Sequence, residues 1–161
     1  MSAVRMFLAS LIVVGTLAGS STALADPPVI EPAPPIDDFT LAAGEVCPFD
    51  VFLEIVSAKG IFKFFSDGRF LVTGQLKVRL TNLDSPEKAL ALNISGPGSI
   101  DASGNEILLG SGILILFAGF DADGPALLFT HGRFEITRAP DGSIANIEAH
   151  GTSTDLCAAL A

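Results

Sequence analysis

The chain has no tryptophan and no tyrosine among its 161 residues; every aromatic ring is one of twelve phenylalanines. Sugar and base recognition lean on rings that stack and hydrogen-bond at once, so carbohydrate and nucleic-acid binding lose weight. Basic residues are scarce too. Nine Lys and Arg stand against eighteen Asp and Glu, a net charge of −9. Such a surface repels phosphate backbones and anionic headgroups, which argues against nucleic acid and membrane surfaces as partners. Cysteine and histidine each occur twice, as Cys47 and Cys157 and as His131 and His150. The cysteines lack the C-x-x-C spacing of a redox pair, and two histidines alone do not make the four-ligand set of a structural zinc site. The G-x-S-x-G elbow of a serine hydrolase is also missing. Ser111 sits between Gly110 and Gly112 without a strand-to-helix setting.

What is present divides the chain into three compositions. Met1–Ala25 reads as a secretory signal peptide: Arg5 supplies the positive start, Met6–Ala18 the apolar stretch, and Ala23-Leu24-Ala25 the small-x-small cleavage site. The apolar stretch is well short of the ~20 residues of a spanning helix, so the mature chain is expected to carry no membrane span and to be secreted. Residues 26–45 interleave Pro27, Pro28, Pro32, Pro34 and Pro35 with five acids and no base. That composition predicts an extended, semi-rigid acidic linker. Val46–Ala161 is then a single domain large enough for one core. Cleavage would remove Arg5 and no acid, leaving the mature chain one unit more negative than the whole.

In an exported chain two cysteines imply a disulfide, and Cys47–Cys157 would staple the first strand of the domain to the last.

Between them the pattern is one of short strands and turns. Phe49, Val51, Leu53 and Ile55 alternate with Asp50, Phe52 and Glu54 until Ala58-Lys59-Gly60 breaks the run. Ser66-Asp67-Gly68 separates two apolar runs in a hairpin signature. Leu76, Val78 and Leu80 alternate with Lys77, Arg79 and Thr81, and Leu90, Leu92 and Ile94 share a face. Ile107–Phe120 is apolar on both faces apart from Ser111, as expected of strands buried from both sides. The clearest hairpin runs from Leu127 to Gly151 around Ala139-Pro140-Asp141-Gly142. A four-residue loop there would place Arg138 opposite Ser143, Phe134 opposite Ile147, Ile136 opposite Ala145, Arg133 opposite Glu148 and His131 opposite His150. A two-residue loop would instead put Arg133 opposite His150. Only Asp155–Leu160 suggests a helical turn. The pattern therefore predicts an all-β domain, a small closed antiparallel barrel of about eight strands, with a β-sandwich as the alternative.

The series Leu80-Thr81-Asn82-Leu83, Asn93-Ile94-Ser95-Gly96-Pro97-Gly98, Gly132-Arg133-Phe134 and Asp155-Leu156-Cys157 resembles, in that order, a group of uncharacterised secreted actinobacterial proteins of similar size. The resemblance covers most of Cys47–Ala161. It implies export and a compact β-fold, and it assigns no site residue.

Candidate chemistry is thin. In the four-residue-loop register His131 and His150 would face each other and could share a metal, with Asp155 nearby in sequence but no third ligand evident. Asp121-Ala122-Asp123-Gly124 looks like a fragment of a calcium loop but lacks its closing acid, and reads as a charged turn. No catalytic residue and no cofactor is indicated. The wealth of Phe, Leu and Ile points first to an exported, non-enzymatic barrel that binds an apolar small molecule. Two other readings stay open. One is a cavity-barrel enzyme of the kind seen in allene oxide cyclases and dirigent proteins, on fold analogy alone. The other is a cell-envelope structural or interaction protein, with the proline-rich residues 26–45 as its spacer; the apolar Ile107–Phe120 stretch separately fits a barrel whose outer surface meets another subunit, a homo-oligomer. A polar cluster in a cavity would favour the enzyme, a smooth apolar cavity the binder, and a filled core the interaction protein.

Overall fold

A computed structural model describes residues 26–161; the expected signal peptide lies outside the described residues. Nine strands and one helix follow in order: β1 (Val29–Pro32), β2 (Phe39–Leu41), β3 (Val51–Phe64), β4 (Phe70–Asn82), β5 (Ala89–Asn93), β6 (Gly98–Ile100), β7 (Glu106–Leu116), β8 (Ala126–Arg138), β9 (Ile144–Asp155) and α1 (Leu156–Leu160). The strands form one antiparallel sheet in the order β1-β3-β4-β6-β7-β8-β9, with β2 also on β3 and β5 also on β4. Among the described residues β9 does not pair back to β1 or β2, so the ladder is open where a closed barrel was expected.

Three of the hairpins use the same turn. Phe65 N–H donates to Arg69 O, Asp101 N–H to Asn105 O, and Ala139 N–H to Ser143 O, at 2.8–3.0 Å. In each, the third loop residue is a glycine at positive φ: Gly68, Gly104 and Gly142. This is the three-residue loop in which a type I turn is followed by a left-handed residue, a position glycine fills without steric cost. Each turn also has an aspartate whose side chain accepts from it: Asp67 and Asp141 within the loop, Asp101 just before it. Arg69 holds Asp67 below the usual carboxylate range through a side-chain hydrogen bond. The Asn105 N–H does the same for Asp101, and the Ser143 side chain for Asp141. A depressed folded-state pKa contributes stability that is complete above the unfolded value and is lost as pH falls through the folded value. The melting temperature should therefore fall as pH drops below about 4, the ordinary carboxylate range. Replacing Asp67, Asp101 and Asp141 together by Asn should flatten that part of the profile; an unaltered acid limb would mean the turns do not carry it.

The register of the last hairpin departs from the four-residue-loop expectation. The loop is Pro140–Gly142, one residue shorter, and a second slip follows where Arg138 pairs with Ile144 but Thr137 with Asn146. Ala145 is the extra, bulged residue. The two slips together move β9 by two positions, so Arg133 faces His150, Phe134 faces Ala149 and Ile136 faces Ile147.

Gly60 and Gly110, expected to end strands, instead lie inside them. Gly60 pairs with Gly74 in the middle of the β3–β4 hairpin, and Gly110, Gly132 and Gly151 form one rung across β7, β8 and β9. Without side chains the backbones there approach closely: a Cβ on Gly132 would lie 2.7 Å from the Gly151 Cα. Such rungs are where a sheet can bend sharply. The bend in β8 follows from its ends. A straight strand of 13 residues would span ~43 Å. Yet Asp121, before β8, accepts from the Ile144 N–H after it at 2.7 Å, and Ala122 N–H donates to Ile144 O. The sheet must curl to bring them together. In β3 a one-residue bulge at Val56 switches the inward face from Val51, Leu53 and Ile55 to Ala58, Gly60 and Phe62.

The curled sheet makes two cores on opposite faces of β7 and β8. Ile113, Ile115, Leu127 and Phe129 pack with Val51, Leu53, Val78 and Leu80 of the β3–β4 hairpin and with Leu156 and Leu160 of α1. The alternate residues Leu114, Leu116 and Leu128 pack with Ile136, Ile144 and Ile147. Of Ile107–Phe120, read as buried from both sides, Ile113–Leu116 is so, whereas Leu109, Phe117 and Phe120 are exposed. Asp155 caps α1 by accepting from Ala158 N–H, and Asn82 Nδ2 donates to Leu160 O at 3.0 Å. The Asn82 and Asp155-Leu156-Cys157 stretches, far apart in sequence, thus meet at one docking point.

Two expectations about the ends need correction. Residues 26–45 are extended but do not hang free, because β1 and β2 both pair with β3. Their prolines are tolerated because they lie at short edge strands and between them. The disulfide forms between Cys47 and Cys157, with Cα atoms 5.4 Å apart, but it joins the β2–β3 connection to α1 rather than first strand to last.

Candidate apolar groove

The switch of face in β3 leaves small residues over the Gly60–Gly74 rung. Ala58 pairs with Leu76, Gly60 with Gly74 and Phe62 with Val72, all on the inward face. Toward the Cys47 end this face is filled by the first core. Over the rung it opens into a groove of about 420 Å³. One wall is Ala33–Ile36, which crosses the sheet after Ala33 N–H donates to Gly60 O at 2.9 Å. The other is Ile94–Gly96, held by Ile94 N–H on Leu76 O and by Leu76 N–H on Ser95 Oγ, both at 2.9 Å. At one end stands Phe62, whose ring meets Phe70 edge-on at 4.9 Å and belongs to a cluster with Phe64. The glycines make room: a Cβ on Gly60 would press on the Ala33 Cβ at 3.1 Å.

The lining is mostly apolar, and its polar side chains are Lys59, Thr73, Gln75 and Ser95. Ser95 Oγ is already engaged by Asn93 and Leu76. Among the described residues no carboxylate and no histidine lines the groove, so Lys59 has no acid–base partner there. The expectation from sequence named no residue here. The signal available was the concurrence of Ala58, Gly60 and Gly74 on one face of a hairpin otherwise rich in Phe, Leu and Val.

The residues singled out earlier lie elsewhere. His131 faces Thr152, not His150, and the geometric case for a shared metal goes with the register. His131 Nδ1 lies 3.1 Å from Ser111 Oγ, while His150 Nε2 lies 3.1 Å from Glu148 Oε1. The Ser111–His131 contact is an exposed pair across β7 and β8, and among the described residues no carboxylate hydrogen-bonds the ring to complete a triad. Among the described residues no cluster of three His, Cys, Asp or Glu could hold a metal. Asp121 is buried with both oxygens in use, accepting from Phe117 N–H and Ile144 N–H at 2.7 Å, so it locks a turn. Among the described residues no helix is long and apolar enough to cross a membrane. No protein-family model, no curated protein and no solved structure matches the chain.

Proposed function

We propose that this is an exported, non-enzymatic β-protein that holds an apolar small molecule in the groove over the Gly60–Gly74 rung. The observation that carries the reading is a groove of about 420 Å³, walled by Ala33–Ile36 and Ile94–Gly96, with a mostly apolar lining and, among the described residues, no carboxylate or histidine. Its size falls in the range of small-molecule pockets, which are mostly apolar with a few orienting polar groups. The open, curled sheet then does the work expected of a barrel interior. The cysteine pair and the sequence of the first 25 residues support export, and the resemblance to secreted actinobacterial proteins agrees with it. The cavity-enzyme reading loses its support where the lining lacks titratable pairs.

Titration with an uncharged solvatochromic dye such as Nile red tests the reading. Ala58→Phe places a ring in the groove from an exposed position outside both cores, so stability should change little. Dye affinity should fall at least about tenfold, a difference of 1.4 kcal/mol. Ala91→Phe, on the exposed face of β5, should leave affinity unchanged. Equal dye affinity in the wild type and in Ala58→Phe would place the binding elsewhere and remove the case for the groove.

A further inference from the structure

The edges of the sheet are treated unequally. β1 and β2 have 4 and 3 residues and lie among prolines; β5 has 5 and runs into Gly96-Pro97. These are the short, proline-marked edges by which sheets avoid pairing with other chains. β9 has 12 residues, no proline and no lysine, and among the described residues no strand lies on its outer side. Its residues from Ala145 to Asp155 are nearly all exposed.

Which groups point outward follows from the ladder. Bonded and non-bonded pairs alternate in antiparallel strands. Ala139–Ser143 is a bonded pair, so Arg138–Ile144 is not, and the Ile144 groups point away from β8, where Asp121 and Ala122 take them. After the bulge at Ala145 the phase shifts, and Ile147, Ala149 and Gly151 face outward. No hydrogen bond outside the β8–β9 ladder engages their backbones among the described residues. The edge is therefore capped at Ile144 and free beyond it.

We propose that this free edge pairs with the same edge of a second copy, giving a two-fold antiparallel dimer centred on Ala149. Self-pairing is favoured because it matches a carboxylate with an imidazole, whose ring N–H can donate to it. With Ala149 opposite itself, Glu148 of each copy faces His150 of the other, Ile147 faces Gly151, and Asn146 faces Thr152. Moving the centre to residue 148 sets Glu148 against Glu148, and moving it to residue 150 sets His150 against His150. Only the Ala149-centred register among these three matches unlike groups across the strands. An isologous contact of this kind closes on itself and leaves no further edge to propagate.

Sedimentation velocity across the micromolar to millimolar range, on the chain from Asp26 with its disulfide intact, should resolve a reversible dimer. Glu148→Lys should weaken it at least about tenfold, and Glu148→Lys with His150→Glu should restore it. Ala149→Cys should oxidise to a covalent dimer, because bonded antiparallel partners have Cα atoms about 5.5 Å apart, within disulfide reach. Thr154→Cys, far from the centre, should crosslink much more slowly. Ala149→Pro should leave a folded monomer, since the lost donor points outward. A monomer at every concentration overturns the proposal. So does a dimer indifferent to Glu148→Lys and to the position of the cysteine, which would mean another surface. If Ala149→Pro does not fold, the charge reversal and the crosslink still decide.

Discussion

Leu116→Asp and Ile115→Asp are each expected to unfold the domain, although the two side chains point to opposite faces of the same strand. Leu116 is 2% exposed among Leu114, Ile136 and Ile144. Ile115 is partly buried against the cluster built on Val51, Leu53, Val78 and Leu80. An unpaired charge placed in either setting costs several kcal/mol, a large part of the ~5–15 kcal/mol that holds a domain together. Leu116→Ala, which only opens a cavity, should cost about 2–5 kcal/mol and leave a folded protein. Far-UV circular dichroism and thermal melts of the three variants read this out. A wild-type melting temperature for either aspartate variant would mean that β7 has a solvent face, and the two-core arrangement would fail.

The second large effect concerns the disulfide. Cys47 and Cys157 are 110 residues apart. Closing a loop of that length restricts the unfolded chain by about 4–5 kcal/mol in the chain-entropy picture. The double variant Cys47→Ser with Cys157→Ser should lower the melting temperature by roughly 10–25 °C, at about 3–5 °C per kcal/mol for a domain of this size. It should still fold in the cold. α1 keeps its Asp155 cap, its bond from Asn82 to Leu160 O, and the buried Leu156 and Leu160. A loss of only a degree or two would show that docking of α1, and not the crosslink, fixes the chain's two ends.

Much of this fold could be read from local pattern. Leu76, Val78 and Leu80 alternate as a strand should, and that strand lies where they predict it. Aspartate and glycine in Ser66-Asp67-Gly68 and Pro140-Asp141-Gly142 mark real turns, and the doubly apolar Ile113–Leu116 is buried from both sides. The helical turn at Asp155–Leu160 is also present. The failures share a cause: single residues whose effect is set by long-range pairing. Gly60 and Gly110 look like strand ends, yet each is paired across the ladder with another glycine, and the strand runs on through a bend. Ala145 carries no local sign that it will bulge, and one residue there, with one residue less in the loop, displaced the whole last register. That displacement separated His131 from His150. The prolines of residues 26–45 signal an extended chain correctly but do not show that β3 offers an edge to receive it. The groove was hidden for the same reason, since one of its walls comes from that segment and its floor from a glycine rung.

Native mass spectrometry of the protein recovered from its own culture medium, without organic solvent, tests the proposed role most directly. The account predicts a chain beginning at Asp26, two mass units below its reduced form, carrying an apolar molecule that leaves on organic extraction and is lost from Ala58→Phe. A bare polypeptide mass in every charge state, from protein that also fails to take up Nile red, would contradict it.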